Sequence, residues 1–96
     1  MGLLLYGSPP ASFELDDRTL AHVELVTLAK LRRGEPFAIS LDDGVGGSST
    51  LWLNAASTLQ FRFTGPRTTI NRAWLDALID TANSGAGLRI VSEPGA

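Results

Sequence analysis

His22, Lys30, Arg32 and Arg33 lie within one stretch, Asp16 to Glu35, together with Asp17, Arg18 and Glu24. This stretch holds the chain's only histidine and lysine and three of its seven arginines, so acid–base or phosphate chemistry would have to draw on it. A lone histidine needs carboxylates to bind a metal or move a proton. Glu24 is two residues away, and helical positions two apart do not face each other, so His22 and Glu24 cannot chelate together. His22 therefore reads as a solvated or interface histidine. Lys30, Arg32 and Arg33 could grip phosphates. A last helical turn also favours cations through its dipole, by up to about 1 kcal/mol each, and that alone accounts for them. Arg67, Asn71 and Arg72 border a predicted helix start, where backbone N–H groups attract anions, and form a second phosphate candidate. Arg72, Asp76 and Asp80 recur every four residues and read as a solvated helix face.

Trp52 and Arg62 fall on consecutive predicted strands, a cation and an aromatic of the kind that stacks bases or other planar groups. Cross-strand packing or self-association on the same sheet face is the competing reading. The net charge of −2 favours the latter, because nucleic-acid binders usually carry a basic excess. The glycine-rich segment from Asp42 to Ser48 lacks the lysine-serine/threonine ending of a phosphate loop and joins two strands. It also lacks the alternating ligands and closing glutamate of a calcium loop. No serine occupies a nucleophile elbow, and no cysteine is present for a thiolate metal site or nucleophile. No catalytic set, metal site or cofactor motif emerges, so the expectation is a non-enzymatic protein without cofactors.

The elements that position these residues follow from pattern and punctuation. Ninety-six residues make one domain, with 92–96 expected to fray. Leu3–Gly7 and Ser12–Leu15 read as strands joined through Pro9 and Pro10. A helix follows, with Asp16 or Asp17 as N-cap, Gly34 just past its end and Pro36 preventing continuation. The segments 36–41, 49–54 and 58–64 alternate as strands and, with short links, are expected to form an antiparallel meander. Asn71 is placed to cap a second helix with Trp74, Leu75, Leu78, Ile79 and Ala82 on its buried stripe. A short strand from Gly87 to Val91 closes the order ββαβββαβ. The expected fold is α+β, a two-layer sandwich of a mainly antiparallel sheet and two helices.

The first helix is apolar on more of its surface than one sheet can cover. Leu20, Ala21, Leu25, Leu28 and Leu31 form the stripe expected to face the sheet. Val23 and Val26 fall near the line of Lys30, where a surface helix would be polar. Either the second helix or the N-terminal hairpin covers them, or they form a homodimer contact with Lys30 at its margin. A short chain without disulfides has a thin stability margin, which makes a dimer an economical cover. The apolar run at the N-terminus is too short for a membrane span, and the absence of cysteine suits the cytoplasm.

Met1-Gly2 with Leu5-Tyr6-Gly7-Ser8, then Asp16-Asp17-Arg18 with Leu20-Ala21-His22, Ala29 to Glu35, Ile70-Asn71-Arg72 and Trp74-Leu75 with Ala77-Leu78, resemble a family of small actinobacterial proteins of about 100 residues. Its members often carry an automatic label of ATP-dependent DNA ligase. Such a ligase forms a lysyl-adenylate on a lysine-x-aspartate-glycine motif, whereas Lys30 here is followed by Leu31-Arg32-Arg33. The resemblance implies no catalytic residues. Two expectations result: a cytoplasmic, self-associating module binding an unidentified partner, or a DNA-associated accessory protein using Trp52, Arg62, Lys30, Arg32 and Arg33.

Overall fold

The computed structural model describes residues 1–66 and 68–95. Strands β1 (Gly2–Tyr6) and β2 (Ala11–Leu15) precede helix α1 (Asp17–Arg32). Strands β3 (Phe37–Asp42), β4 (Ser48–Leu53) and β5 (Leu59–Arg62), helix α2 (Arg72–Ala82) and strand β6 (Leu88–Arg89) complete the order ββαβββαβ. The fold is α+β with mainly antiparallel pairing, as the pattern predicts.

Local chemistry explains the helix limits. Asp16 accepts a hydrogen bond from the Thr19 N–H and caps α1. At the other end, the Gly34 N–H bonds the Leu31 carbonyl and the Glu35 N–H bonds the Lys30 carbonyl. That pattern requires a left-handed residue, which Gly34 supplies with φ +71. Asn71 caps α2 by accepting from the N–H groups of Ala73 and Trp74.

The strands divide into two sheets, β2-β1-β5 and β4-β3-β6, rather than one. The expected meander is therefore corrected: β3 and β4 pair, but β5 leaves β4 and pairs antiparallel with β1, Tyr6 opposite Leu59. The link 54–57 closes on itself, with Asn54 Oδ1 accepting from the Ala56 N–H and the Ser57 N–H donating to the Asn54 carbonyl. The Gly7 N–H then takes the Thr58 carbonyl and carries the chain onto the first sheet. Strand β6 joins β3 in parallel, Ile39 opposite Leu88, after the α2 crossover.

One core connects the layers, containing Leu4 of β1, Ile39 and Leu53 of the second sheet, Leu20, Val23 and Val26 of α1, and Leu78 of α2. Val23 and Val26 are fully buried within one chain, which corrects the expected dimer contact through them. Helix α1 is rotated toward the line of Lys30: Leu20, Val23, Val26 and Thr27 point inward, whereas Leu28 is 46% exposed. The physical reason is a second cover, since α1 packs against α2 as well as β1. The buried Thr27 hydroxyl donates to the Val23 carbonyl at 2.8 Å, so it reaches the interior with a partner.

Candidate functional site

The structure separates residues that the pattern placed together. Arg62 lies on β5 in the first sheet and Trp52 on β4 in the second, so the expected stacking pair on adjoining strands is corrected. Arg72 is exposed and sits 3.7 Å from Asp76, an i,i+4 pair on a solvated face. Arg32 and Arg33 are exposed at the end of α1. Arg67 lies outside the described residues.

Trp52 and Lys30 instead line one hollow. The β3–β4 register alternates Leu51 and Leu53 inward and turns Trp52 out, where it is 55% exposed, the one exposed aromatic among the described residues. Lys30, Phe37, Trp52, Asn83 and Gly87 are among the residues lining a hollow of about 310 Å³. Lys30 Nζ is fixed there: it donates to Asn83 Oδ1 at 2.7 Å, pairs with Glu35 at 3.3 Å and stands 5.9 Å from the Phe37 ring centroid. A cation positioned by three groups and an exposed indole thus line the same corner. Two larger hollows, of about 620 and 520 Å³, share Leu15, Leu41 and Asp42 in their linings. Their walls combine leucines, serines and carboxylates with Phe13, Ile90, Val91 and Arg89, whereas Trp52 and Lys30 line the smaller hollow.

His22 is fully buried, which corrects the solvated or interface reading. Its Nδ1 lies 2.8 Å from the Arg18 carbonyl, and its Nε2 accepts from the Asn71 N–H at 2.9 Å. Because a carbonyl only accepts, Nδ1 carries the proton and the ring is the neutral Nδ1–H tautomer. The ring also tilts against Trp74, with centroids 4.5 Å apart. His22 thus joins α1 to the cap of α2.

Glu93 extends this junction. It accepts bidentately from Arg18, Nε at 2.9 Å and an Nη at 2.6 Å, and takes Asn71 Nδ2 at 2.9 Å. Asn71 also reaches the Pro94 carbonyl, so the tail expected to fray carries an anchor within 92–95, while Ala96 lies outside the described residues. Arg18 donates in addition to the Thr69 carbonyl at 2.7 Å. Sequence reasoning missed this network because Arg18 and Glu93 are 75 residues apart. The Arg18 hydrogen bonds, with that of Asn71, hold the Glu93 carboxyl at a pKa of about 2, below its ordinary 4.5. A carboxylate depressed on folding contributes stability above its unfolded pKa and loses it as pH falls through the folded one. Glu93→Gln is therefore expected to be less stable than the parent at pH 7, with the difference closing between about pH 4.5 and about 2. Urea unfolding across that range checks it; a pH-independent difference refutes it.

Asp17 fastens α1 to the segment after β5. Partial burial pushes its carboxyl up, but the Gly65 N–H, the Thr64 hydroxyl and the Thr64 N–H together hold it below the usual aspartate range. Among the described residues, no group of three histidine or carboxylate side chains is placed to hold a metal ion. The ionisable groups that the fold clusters most closely thus serve to tie α1, α2 and the tail together.

Residues 1–93 match DUF7882, a domain of unknown function. The chain belongs to this family. The match covers both sheets, both helices and Glu93, so the DUF7882 unit includes the junction and the Trp52 corner alike. No curated protein and no solved structure matches the chain significantly. No helix among the described residues is long and apolar enough to cross a membrane.

Proposed function

We propose that this DUF7882 chain is a non-enzymatic cytoplasmic module that associates with itself and binds a further partner through the Trp52 face of the second sheet. The observation that carries this reading is the exposed indole of Trp52 in a hollow that the fixed ammonium of Lys30 also lines. Exposed aromatics beside immobilised cations supply contact area at little entropic cost, and tryptophan is enriched among residues that dominate interfaces. His22, Arg18, Glu93 and Asp17 are spent on joining elements, which supports a binding role over a reaction. The cysteine-free composition supports the cytoplasmic placement. The DNA-associated reading, which the resemblance to ligase-labelled proteins suggested, is less well supported because Arg62 and Trp52 sit in different sheets.

Light-scattering mass on a sizing column, with and without a short nicked duplex at low salt, tests the proposal. A dimer indifferent to DNA is expected. Trp52→Ala is expected to shift it toward monomer, while unfolding free energy changes by less than about 1 kcal/mol, as at exposed sites generally. A complex with the duplex that dissolves as salt rises would establish the accessory reading instead.

A further inference from the structure

Among the described residues the two sheets have four outer strands, and these are not equivalent. Strand β2 carries Glu14 and follows Pro9 and Pro10, β5 has four residues including Arg62, and β6 has two residues including Arg89. Charges, prolines and shortness are the means by which proteins keep an edge from pairing with another chain. Strand β4, Ser48-Ser49-Thr50-Leu51-Trp52-Leu53, is six residues long and has neither charge nor proline.

The register fixes which of its backbone groups are open. Asp43 N–H bonds the Gly47 carbonyl, and the pairs Leu41–Ser49 and Ile39–Leu51 continue that set along the antiparallel ladder. Ser48, Thr50 and Trp52 alternate with them, so their N–H and C=O groups point away from β3. The Tyr6 hydroxyl occupies the Trp52 carbonyl at 2.7 Å. Ser48 and Thr50 keep their outward groups open to solvent.

Resting on the self-association part of the proposed function, we infer that a second copy of this chain adds to the β4 edge, antiparallel and two-fold about Ser49. Ser48 of each copy then pairs with Thr50 of the other, and the Tyr6 hydroxyl on the Trp52 carbonyl ends the pairing there. The charges select a second copy in this orientation. Arg33 and Arg32 precede Phe37, which pairs with Leu53, by four and five residues, and the intervening Glu35 is paired with Lys30, so this end of the β3–β4 hairpin keeps a basic excess. Asp42 and Asp43 mark the other. An antiparallel pairing sets the basic end of one copy against the acidic end of the next, whereas a parallel pairing would oppose like charges. Arg89, on β6 on the far side of β3, lines one hollow with Asp42 and Ser48 and offsets only part of the charge of Asp42 and Asp43.

Sedimentation velocity over a range of concentrations, with amide hydrogen exchange, tests the inference. The parent is expected to pass from monomer to dimer, with Thr50 exchange slowing at high concentration. Thr50→Pro removes no β3–β4 bond, because that N–H points outward, and proline is tolerated at such edge positions. It is expected to weaken the dimer by about a hundredfold, the loss of two hydrogen bonds together with their geometry. Thr50→Lys, which leaves the backbone intact, is expected to act in the same direction and decides the matter if the proline variant misfolds. A parent dimer that survives both substitutions with Thr50 unprotected overturns the β4 assignment and leaves self-association on another surface. A parent that stays monomeric throughout overturns both.

Discussion

Gly87→Ala is expected to lower unfolding free energy by about 3 kcal/mol, from a left-handed backbone cost together with steric overlap. Gly87 has φ +85, and a Cβ built there would lie 2.7 Å from the Ala38 carbonyl oxygen and 2.9 Å from the Ala38 Cβ. Neither neighbour is the free end of a side chain. Ala38 is in the middle strand of its sheet, held by β4 on one side and β6 on the other. The strain must therefore be relieved by displacing β6, which pairs with β3 through only two residues. A chain of this size has a total stability on the order of 5–15 kcal/mol, so the loss is a large fraction of it. Gly85→Ala is the control: a Cβ there meets nothing within 4 Å, and that variant should unfold near the parent midpoint. Urea unfolding of the three proteins checks the difference; equal midpoints for Gly87→Ala and Gly85→Ala would refute the close-approach argument. Because Gly87 also lines the Trp52 hollow, the variant should perturb that corner as well.

Trp74→Ala is the second large effect, a loss of about 4 kcal/mol, within the range for deleting a buried tryptophan side chain. Trp74 is 4% exposed and belongs to the central cluster. Its indole N–H donates to the Val91 carbonyl at 2.8 Å, which fastens the chain after β6 to α2. Its ring also supports His22, whose Nε2 receives the cap residue's N–H. Removing the ring thus empties a core site and loosens the joint between the helices. Trp74→Phe separates these contributions: it retains most of the apolar contact but loses the N–H, and should cost about 1–3 kcal/mol through the unpaired carbonyl. Fluorescence gives an independent check. The emission remaining in Trp74→Ala should come from exposed Trp52 and lie to the red of the parent. Unchanged emission and stability would show that Trp74 is not the buried tryptophan.

The Trp52 corner illustrates how far a site can be read from residue types. Alternation along β4 sets Trp52 opposite Leu51 and Leu53, so its exposure follows from the strand itself. The neighbouring cation does not. Arg62 has the correct parity on β5, but β5 pairs with β1, and Lys30 is the cation that lines the hollow with Trp52. An over-apolar helix predicts a partner surface around Val23 and Val26, yet α2 supplies the cover within the same chain.

Asp16, Gly34 and Asn71 bound the helices through contacts spanning a few residues, and strand alternation needs only the next neighbour. These local interactions made the order ββαβββαβ, the α2 stripe and the exposed indole legible in the chain. Strand partnership, the rotation of α1, the burial of His22 and the anchoring of Glu93 rest on contacts as far as 49 and 75 residues apart. No periodicity reports such contacts, because each depends on which of several chemically adequate surfaces packs over the shared core. The amino-acid pattern thus specified what each element is and which side of it is apolar. Packing in three dimensions chose the covering surfaces, and with them the residues left at the surface to meet a partner.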